Sequence, residues 1–376
     1  MTNILIISFS PIKTDPRVMR QIDSLRGSYH LTVAGFGSSP YPDIEFIDIS
    51  SIGAHFFKKV LKGTLLISQC FETYYWKMPY VLKTLNLLQG KKFDCVLAND
   101  INSLPLALRL AGKSPTFLDA HEYSPKEFED RFIWRLFFSK FYEYICKKYI
   151  PKVSVMSTVC TGIAEEYERN FGVHSNVVLN APAYSELSPT PVMEGVIRLI
   201  HHGAAISSRN LELMIEMMDY LDERFTLDLM LVDNGSGYLE TLKKMAAKNN
   251  KIKFRPPVDM KKISFEINNY DIGLFLLPPV NFNYKYALPN KFFEFIQARL
   301  AIAIGPSDEM ARLTKKYNLG IISDDFSPKN MAHKLSQLTS KDIYRMKESA
   351  NLAAKDLNGD STKNFIFDTV KKLLNS

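Results

Sequence analysis

Lys291 and Glu294 stand three residues apart in the segment Ala287-Leu-Pro-Asn-Lys-Phe-Phe-Glu294. That spacing puts both on one face of a helix's first turn. Pro289 and Asn290 supply a helix start, with Asn290 the expected N-cap. The free N–H groups and positive dipole end of such a helix suit an anion, and Lys291 adds a full charge. Glu294, one turn in, suits the vicinal hydroxyls that a ribose presents. Phosphate and ribose together describe a nucleotide.

Other residues extend this chemistry. In His202-Gly203-Ala-Ala-Ile-Ser-Ser-Arg209, Gly203 permits a close backbone approach. Arg209 falls at a helix start, where it either clamps a phosphate or is simply solvated; the company of Lys291 favours the clamp. The loop leading to Asn290 carries Asn281, Asn283 and Tyr284, neutral donors and acceptors of the kind sugars need, or alternatively a polar loop with aromatic packing. Further toward the N-terminus, Asp119-Ala-His121-Glu122 places three ionisable groups just past a strand. In Asn99-Asp100-Ile-Asn102, Asp100 either touches a hydroxyl or caps a helix running from Ser103. In Lys13-Thr-Asp15-Pro16-Arg17, Pro16 opens a helix with Asp15 as its cap and Arg17 in its first turn. Gly-x-Gly-x-x-Gly and P-loop patterns are missing, as is an Asp-x-Asp at a strand end, so no metal site is expected.

The elements that must position these groups alternate. Strands are expected at Asn3–Ser8, His30–Ala34, Ile44–Ile49, Cys95–Ala98, Thr116–Leu118, Val153–Ser157 and Val177–Leu179. They are expected again at Val196–His201, Thr226–Val232, Lys251–Phe254, Ile272–Leu276, Ala301–Ile304 and Gly320–Ile322. Several are almost wholly apolar, as strands of a parallel sheet covered on both faces should be, and helix-length segments separate them. The predicted organisation is a first doubly wound domain over 1–182, a Pro-rich linker over 183–195 and a second doubly wound domain over 196–358. A C-terminal helix over 359–376 packs on either half or crosses back to the first. Open α/β sheets bind ligands beyond the carboxyl ends of their strands, so the expected site is a cleft between the two domains.

The bulk figures agree with two soluble domains: 376 residues, 46% hydrophobic and 23% charged. No run of eighteen apolar residues and no signal peptide is visible, so the expected location is cytoplasmic or peripheral on the inner face of the membrane. Cys70, Cys95, Cys146 and Cys160 have no metal-ligand spacing and are expected as buried, reduced thiols. The formal charge of +7 does not choose among a nucleotide, a nucleic acid and an anionic membrane face. Two aromatic and basic stretches, His55–Lys62 through Tyr74–Lys77 and Arg131–Lys148, either dock on anionic lipid or cover a sheet.

Taken together, these residues resemble the GT-B-fold glycosyltransferases, in particular the retaining, family-4-like group that uses nucleotide sugars. The resemblance spans nearly the whole chain: Asp15-Pro-Arg-Val, Leu118-Asp-Ala-His-Glu, Thr161-Gly-Ile-Ala-Glu, Val178-Leu-Asn-Ala-Pro and, most specifically, Leu288-Pro-Asn-Lys-Phe-Phe-Glu-Phe-Ile. It implies two Rossmann-like domains, the second holding a UDP-sugar donor and the first a hydroxyl acceptor, with no cofactor or metal required. By resemblance Lys291 and Arg209 meet the diphosphate, Glu294 the ribose, and His121 the acceptor or donor sugar. Glu122 and Asp100 neighbour it, and Asp15, Arg17, Asp100 and Asn102 lie on the acceptor side. Gly203, Asn281, Asn283, Tyr284 and Asn290 complete the donor-side set. The implied partners are a nucleotide sugar and a carbohydrate or lipid-linked saccharide acceptor of surface or exopolysaccharide synthesis. An anionic membrane surface is a further candidate, and nucleic acid is not expected. Two features depart from the pattern: Tyr286 stands eight residues before Glu294, where many members carry a Glu, and Ser10-Pro11 replaces an N-terminal glycine pair. A non-hydrolysing nucleotide-sugar epimerase and an inactive two-lobed binding protein are the alternative readings.

Overall fold

A computed structural model describes residues 2–50 and 63–375. Two compact units emerge. One comprises Met1–Val178, Asn281–Asn283 and Ser361–Ser376; the other comprises Leu179–Val280 and Tyr284–Asp360. The basic stretch at His55–Lys62 lies outside the described residues.

In the first unit the strands are β1 (Asn3–Pro11), β2 (His30–Phe36), β3 (Glu45–Asp48), β4 (Cys95–Asn99), β5 (Thr116–Ala120), β6 (Val155–Thr158) and β7 (Asn176–Val177). They form one sheet in the order β3-β2-β1-β4-β5-β6-β7, and every registered pair is parallel. Strands buried on both faces carry no alternation, which is why β1 and β4 read as apolar runs. Their core side chains, among them Ile4, Ile6, Val33 and Leu97, pack with Val18 and Ile22 of the Pro16–Leu25 helix. The C-terminal helix Asp360–Leu374 joins this core through Ile366 and Val370, one turn apart on a single stripe. Ser24 Oγ donates to the Lys363 carbonyl at 2.6 Å, fixing that helix against its neighbour.

The second unit contains β8 (Ile197–Ala204), β9 (Phe225–Val232), β10 (Ile252–Arg255), β11 (Ile272–Phe275), β12 (Ala301–Ile304) and β13 (Gly320–Ile322). Their order is β10-β9-β8-β11-β12-β13, again with parallel pairing throughout. β8 runs three residues past the predicted His201, because His202, Gly203 and Ala204 continue the register with Met230, Leu231 and Val232 of β9. Both histidines are thereby held on the sheet rather than in a loop. In each unit the strand order reverses once, between β1 and β4 and between β8 and β11. Those reversals are where a doubly wound sheet opens a crevice at its carboxyl edge.

Candidate functional site

The carboxyl ends of β8 and β11 converge on Lys291. The helix Asn290–Gln297 starts after Pro289, whose extended backbone (φ −77°, ψ 156°) makes it the cap residue. Its carbonyl accepts the Phe292 N–H at 3.0 Å. Asn290 is therefore the first helical residue and not the N-cap expected from the sequence, and its Oδ1 is buried without a hydrogen-bond partner. The proline's fixed φ places the helix entry one residue earlier than the side-chain preference suggested.

Lys291 is 5% exposed. Its Nζ lies 3.1 Å from His201 Nε2 and 4.3 Å from the centre of the Phe275 ring. Gly203, at φ +121°, allows this approach: a Cβ there would stand 3.1 Å from Lys291 Nζ and 3.9 Å from an Arg209 terminal nitrogen. Arg209 donates to the Ala204 carbonyl at 3.3 Å. Burial lowers the Lys291 pKa well below the ordinary lysine value, and repulsion from Arg209 adds to this more than attraction to Glu294 offsets it. Glu294 Oε2 stands 3.4 Å from His202 Nε2. Burial, followed by the charge of Lys291, pushes His202 down to about 3 and His201 well below its usual value, so both imidazoles are neutral. Consecutive β8 histidines thus face Lys291 and Glu294 of the helix. Tyr284 OH meets Ser208 Oγ at 3.0 Å beside Arg209. Asn281 and Asn283 group with the first unit instead. Asn283 Oδ1 accepts the Tyr123 N–H at 2.8 Å, and Asn281 Nδ2 donates to Asp130 at 3.2 Å. Tyr286 is half-buried.

The first unit gathers polar groups at the ends of β1, β4 and β5. Asp15 caps the Pro16–Leu25 helix as predicted, accepting the N–H groups of Arg17 and Val18 at 3.1 and 3.2 Å. Ser10 Oγ donates to its other oxygen at 2.7 Å. Arg17 is 2% exposed: Nε donates to Asp119 Oδ2 at 2.8 Å, a terminal nitrogen meets Oδ1 at 2.5 Å, and the other bonds the Val178 carbonyl. Gln21 and Ser157 also donate to Asp119, at 2.7 and 2.6 Å. Burial alone would raise the Asp119 pKa, but the guanidinium outweighs it and holds the carboxyl at about 2. Arg17 and Asp119 therefore tie β5 to the first helix, inside the unit.

Asp100 does not cap a helix from Ser103. It is itself the first residue of the helix Asp100–Ala111 and adopts φ +59°, a conformation that costs a non-glycine residue about 1 kcal/mol or more. That turn aims its carboxylate at His121: Oδ1 accepts the His121 N–H at 2.8 Å and Oδ2 lies 3.3 Å from Nδ1. His121 Nε2 lies 3.2 Å from Asn99 Oδ1. Glu122 is exposed, with Asn283 Nδ2 donating to it at 3.4 Å. Asn102 accepts Tyr75 OH on its carbonyl. Sequence reasoning missed Glu127, whose carboxyl is pushed up to about 8 by burial and then by the charges of Glu122 and Asp100. It also missed His201 and His202 as partners of Lys291 and Glu294; two histidines at a strand's carboxyl end were the available signal.

Cys70 is exposed, in contrast to the expectation of four buried thiols; Cys95, Cys146 and Cys160 are buried. It precedes the helix Phe71–Trp76 in a turn that leaves its side chain outside the core. On the Phe132–Tyr149 helix, Trp134, Phe141 and Ile145 face inward, while Phe132, Ile133 and Leu136 are 68%, 66% and 52% exposed. Among the described residues no helix is long and apolar enough to cross a membrane.

No family model and no curated protein matches the chain. Solved structures do. The glycosyltransferase WaaG, involved in lipopolysaccharide biosynthesis, is 13% identical over 96% of this chain and 99% of its own, with a TM-score of 0.68. Anabaena HepE in complex with UDP-glucose is 12% identical over 99% and 100%, with a TM-score of 0.71. TarM is 9% identical over 100% and 99%, with a TM-score of 0.70. The two parallel-sheet units are those of the GT-B glycosyltransferase fold.

Proposed function

We propose that the protein is a glycosyltransferase moving a sugar from a nucleoside diphosphate, with UDP the leaving group, to a hydroxyl acceptor. The observation that carries this reading is the pair Lys291 and Arg209 beside Gly203 at the β8–β11 reversal. Lys291 is buried, and the strongest charged influence on it is another cation, Arg209. A diphosphate supplies the counter-charge such a site needs, and the N-terminus of the Asn290 helix adds its dipole. Glu294, one turn along, accepts the ribose hydroxyls, with His202 against its other side.

In the reaction the bond from the anomeric carbon to the diphosphate oxygen breaks, one to the acceptor oxygen forms, and the acceptor hydroxyl's proton passes to the departing diphosphate. Lys291 and Arg209 stabilise the charge that grows on the departing diphosphate, in a site where burial strengthens that interaction. His121, oriented by Asp100, positions a sugar hydroxyl, with Glu122 beside it and Asp15 and Asn102 nearby on the same unit. HepE is described with UDP-glucose and WaaG with lipopolysaccharide biosynthesis; both agree with a UDP-sugar donor and a cell-surface saccharide acceptor here. Retention of configuration and independence from metal are part of the reading through the family resemblance. Phe132, Ile133 and Leu136, flanked by the exposed Arg131, Arg135 and Lys140, support contact with anionic lipid bearing such an acceptor. Beside them a hollow of about 280 Å³ is lined by Leu66, Ile67, Tyr74, Phe137 and Phe138.

Calorimetry with UDP tests the donor site: binding is expected in wild type and should be lost on Glu294→Ala. Absence of binding to wild type would overturn the reading. Flotation with liposomes, with and without anionic lipid, tests the membrane contact, and failure to float with either removes it.

A further inference from the structure

His201 is fully buried at the end of β8 and makes two hydrogen bonds. Nδ1 lies 2.8 Å from the Leu274 carbonyl of β11. A carbonyl only accepts, so Nδ1 carries the ring proton, and a neutral imidazole then presents a lone pair at Nε2. Lys291 Nζ sits 3.1 Å from that lone pair. The Phe275 face lies 4.3 Å from Nζ, and the His201 and Phe275 rings are 5.3 Å apart. Two neighbouring strands therefore hold the lysine head, one through a lone pair and the other through a ring face.

We infer that His201 is a positioning residue for Lys291, its Nε2 lone pair fixing the ammonium against Phe275 so that the remaining N–H donors serve the anion site beside Gly203. This rests on the reading of Lys291 as a diphosphate-binding cation. The backbone carbonyl of Leu274 sets the tautomer, so the device needs no carboxylate. A carboxylate partner would neutralise the charge that the diphosphate requires; a histidine lone pair directs the ammonium and leaves its charge intact. The groups facing Lys291 are His201 and His202 from β8, Arg209 from the loop after it, and Glu294 from its own helix. Burial and Arg209 oppose the charged lysine, and the His201 lone pair is a hydrogen-bonding partner that favours it.

UDP binding by calorimetry across pH tests the assignment, above about pH 7.5 where a terminal phosphate is already fully ionised. In wild type, affinity declines as pH rises past the point where Lys291 loses its proton. His201→Leu removes the acceptor; affinity should fall about tenfold, and the decline should move to lower pH. His201→Gln, whose amide donates to Leu274 and accepts from Lys291, should restore both. A packing role alone would lower affinity without moving the midpoint, so an unmoved midpoint in His201→Leu overturns the assignment. His201→Met replaces the leucine variant if that one does not fold. Should wild type bind no UDP, the functional reading falls separately. Acylation of Lys291 by acetic anhydride, followed by mass spectrometry across pH, then decides: a lower midpoint in His201→Leu, restored by glutamine, upholds the positioning role, and an unchanged one removes it.

Discussion

A Cβ on Gly203 would stand 3.1 Å from Lys291 Nζ, and Gly203 holds φ +121°, a backbone angle that L side chains rarely adopt. The glycine serves two ends, since the chain can turn there and the lysine head can lie flat against it. Gly203→Ala should therefore cost about 1–3 kcal/mol in backbone strain and displace the ammonium. The expected result is a thermal midpoint several degrees lower and UDP affinity reduced by an order of magnitude or more. An alanine variant with wild-type affinity would show that the Lys291 head is not confined there.

Arg17 and Asp119 form a buried ion pair with Gln21 and Ser157 as further donors. Removing one partner leaves the other charge buried, so Asp119→Ala should destabilise by about 3–5 kcal/mol. The pH dependence follows from the depressed carboxyl. Asp119 titrates at about 2 when folded and near 3.9 when unfolded, so its contribution is present above about pH 4. It is lost as pH falls through the folded value, and amounts to roughly 2–3 kcal/mol. Chemical denaturation of wild type and Asp119→Asn between pH 5 and 2 checks the sign: the variant's stability should fall less steeply with acid.

Glu127 has the opposite sign. Burial and the neighbouring carboxylates raise it to about 8, so the folded protein holds a proton there that the unfolded chain releases near pH 4. Stability from this group is full below about pH 4 and lost as pH rises through about 8. Glu127→Gln keeps the neutral form at every pH. It should match wild type near pH 4 and exceed it in melting temperature at pH 8.5 to 9, and equal melting curves at both values would refute the assignment.

These pairings mark the boundary of what the sequence displays. The strands were legible because parallel strands covered on both faces must be apolar throughout, as in Ala301–Ile304 and Ile272–Phe275. The Asp15 cap was legible because a cap and its helix are adjacent in sequence. The partnership of Arg17 with Asp119 spans 102 residues and that of His201 with Lys291 spans 90. Only the closing of a sheet brings such residues together. Neither expectation for Asp100, a contact to a hydroxyl or a cap for a helix from Ser103, anticipated its place as the first helical residue, because a left-handed φ on an aspartate leaves no mark in composition. Asn290 was misplaced by one position because the stiff backbone of Pro289 outranks the capping preference of its neighbour.

Gly273 on β11 is the contact that sets the distance from the sheet to the helix that carries Lys291 and Glu294. A Cβ there would fall 2.3 Å from Phe295 Cγ and 2.5 to 2.6 Å from the next ring atoms. Phe295 is fully buried on the Asn290–Gln297 helix, and its ring meets His202 edge-on at 5.3 Å. It cannot swing away without disturbing the partner of Glu294. The backbone at Gly273 needs no left-handed angle, so alanine is refused by space alone. Gly273→Ala should destabilise by about 1–3 kcal/mol through overpacking and, because the helix must lift, should weaken UDP binding with Lys291 and Glu294 unaltered. Phe295→Leu leaves a void on its own and is destabilising too. Combined with Gly273→Ala, the added methyl group occupies part of that void, and the double variant should be more stable than the sum of the two single losses by about 1 kcal/mol or more. Chemical denaturation of the four proteins in this cycle measures that coupling. Strict additivity would mean that the helix rides over the added methyl without contact and that its height is set elsewhere.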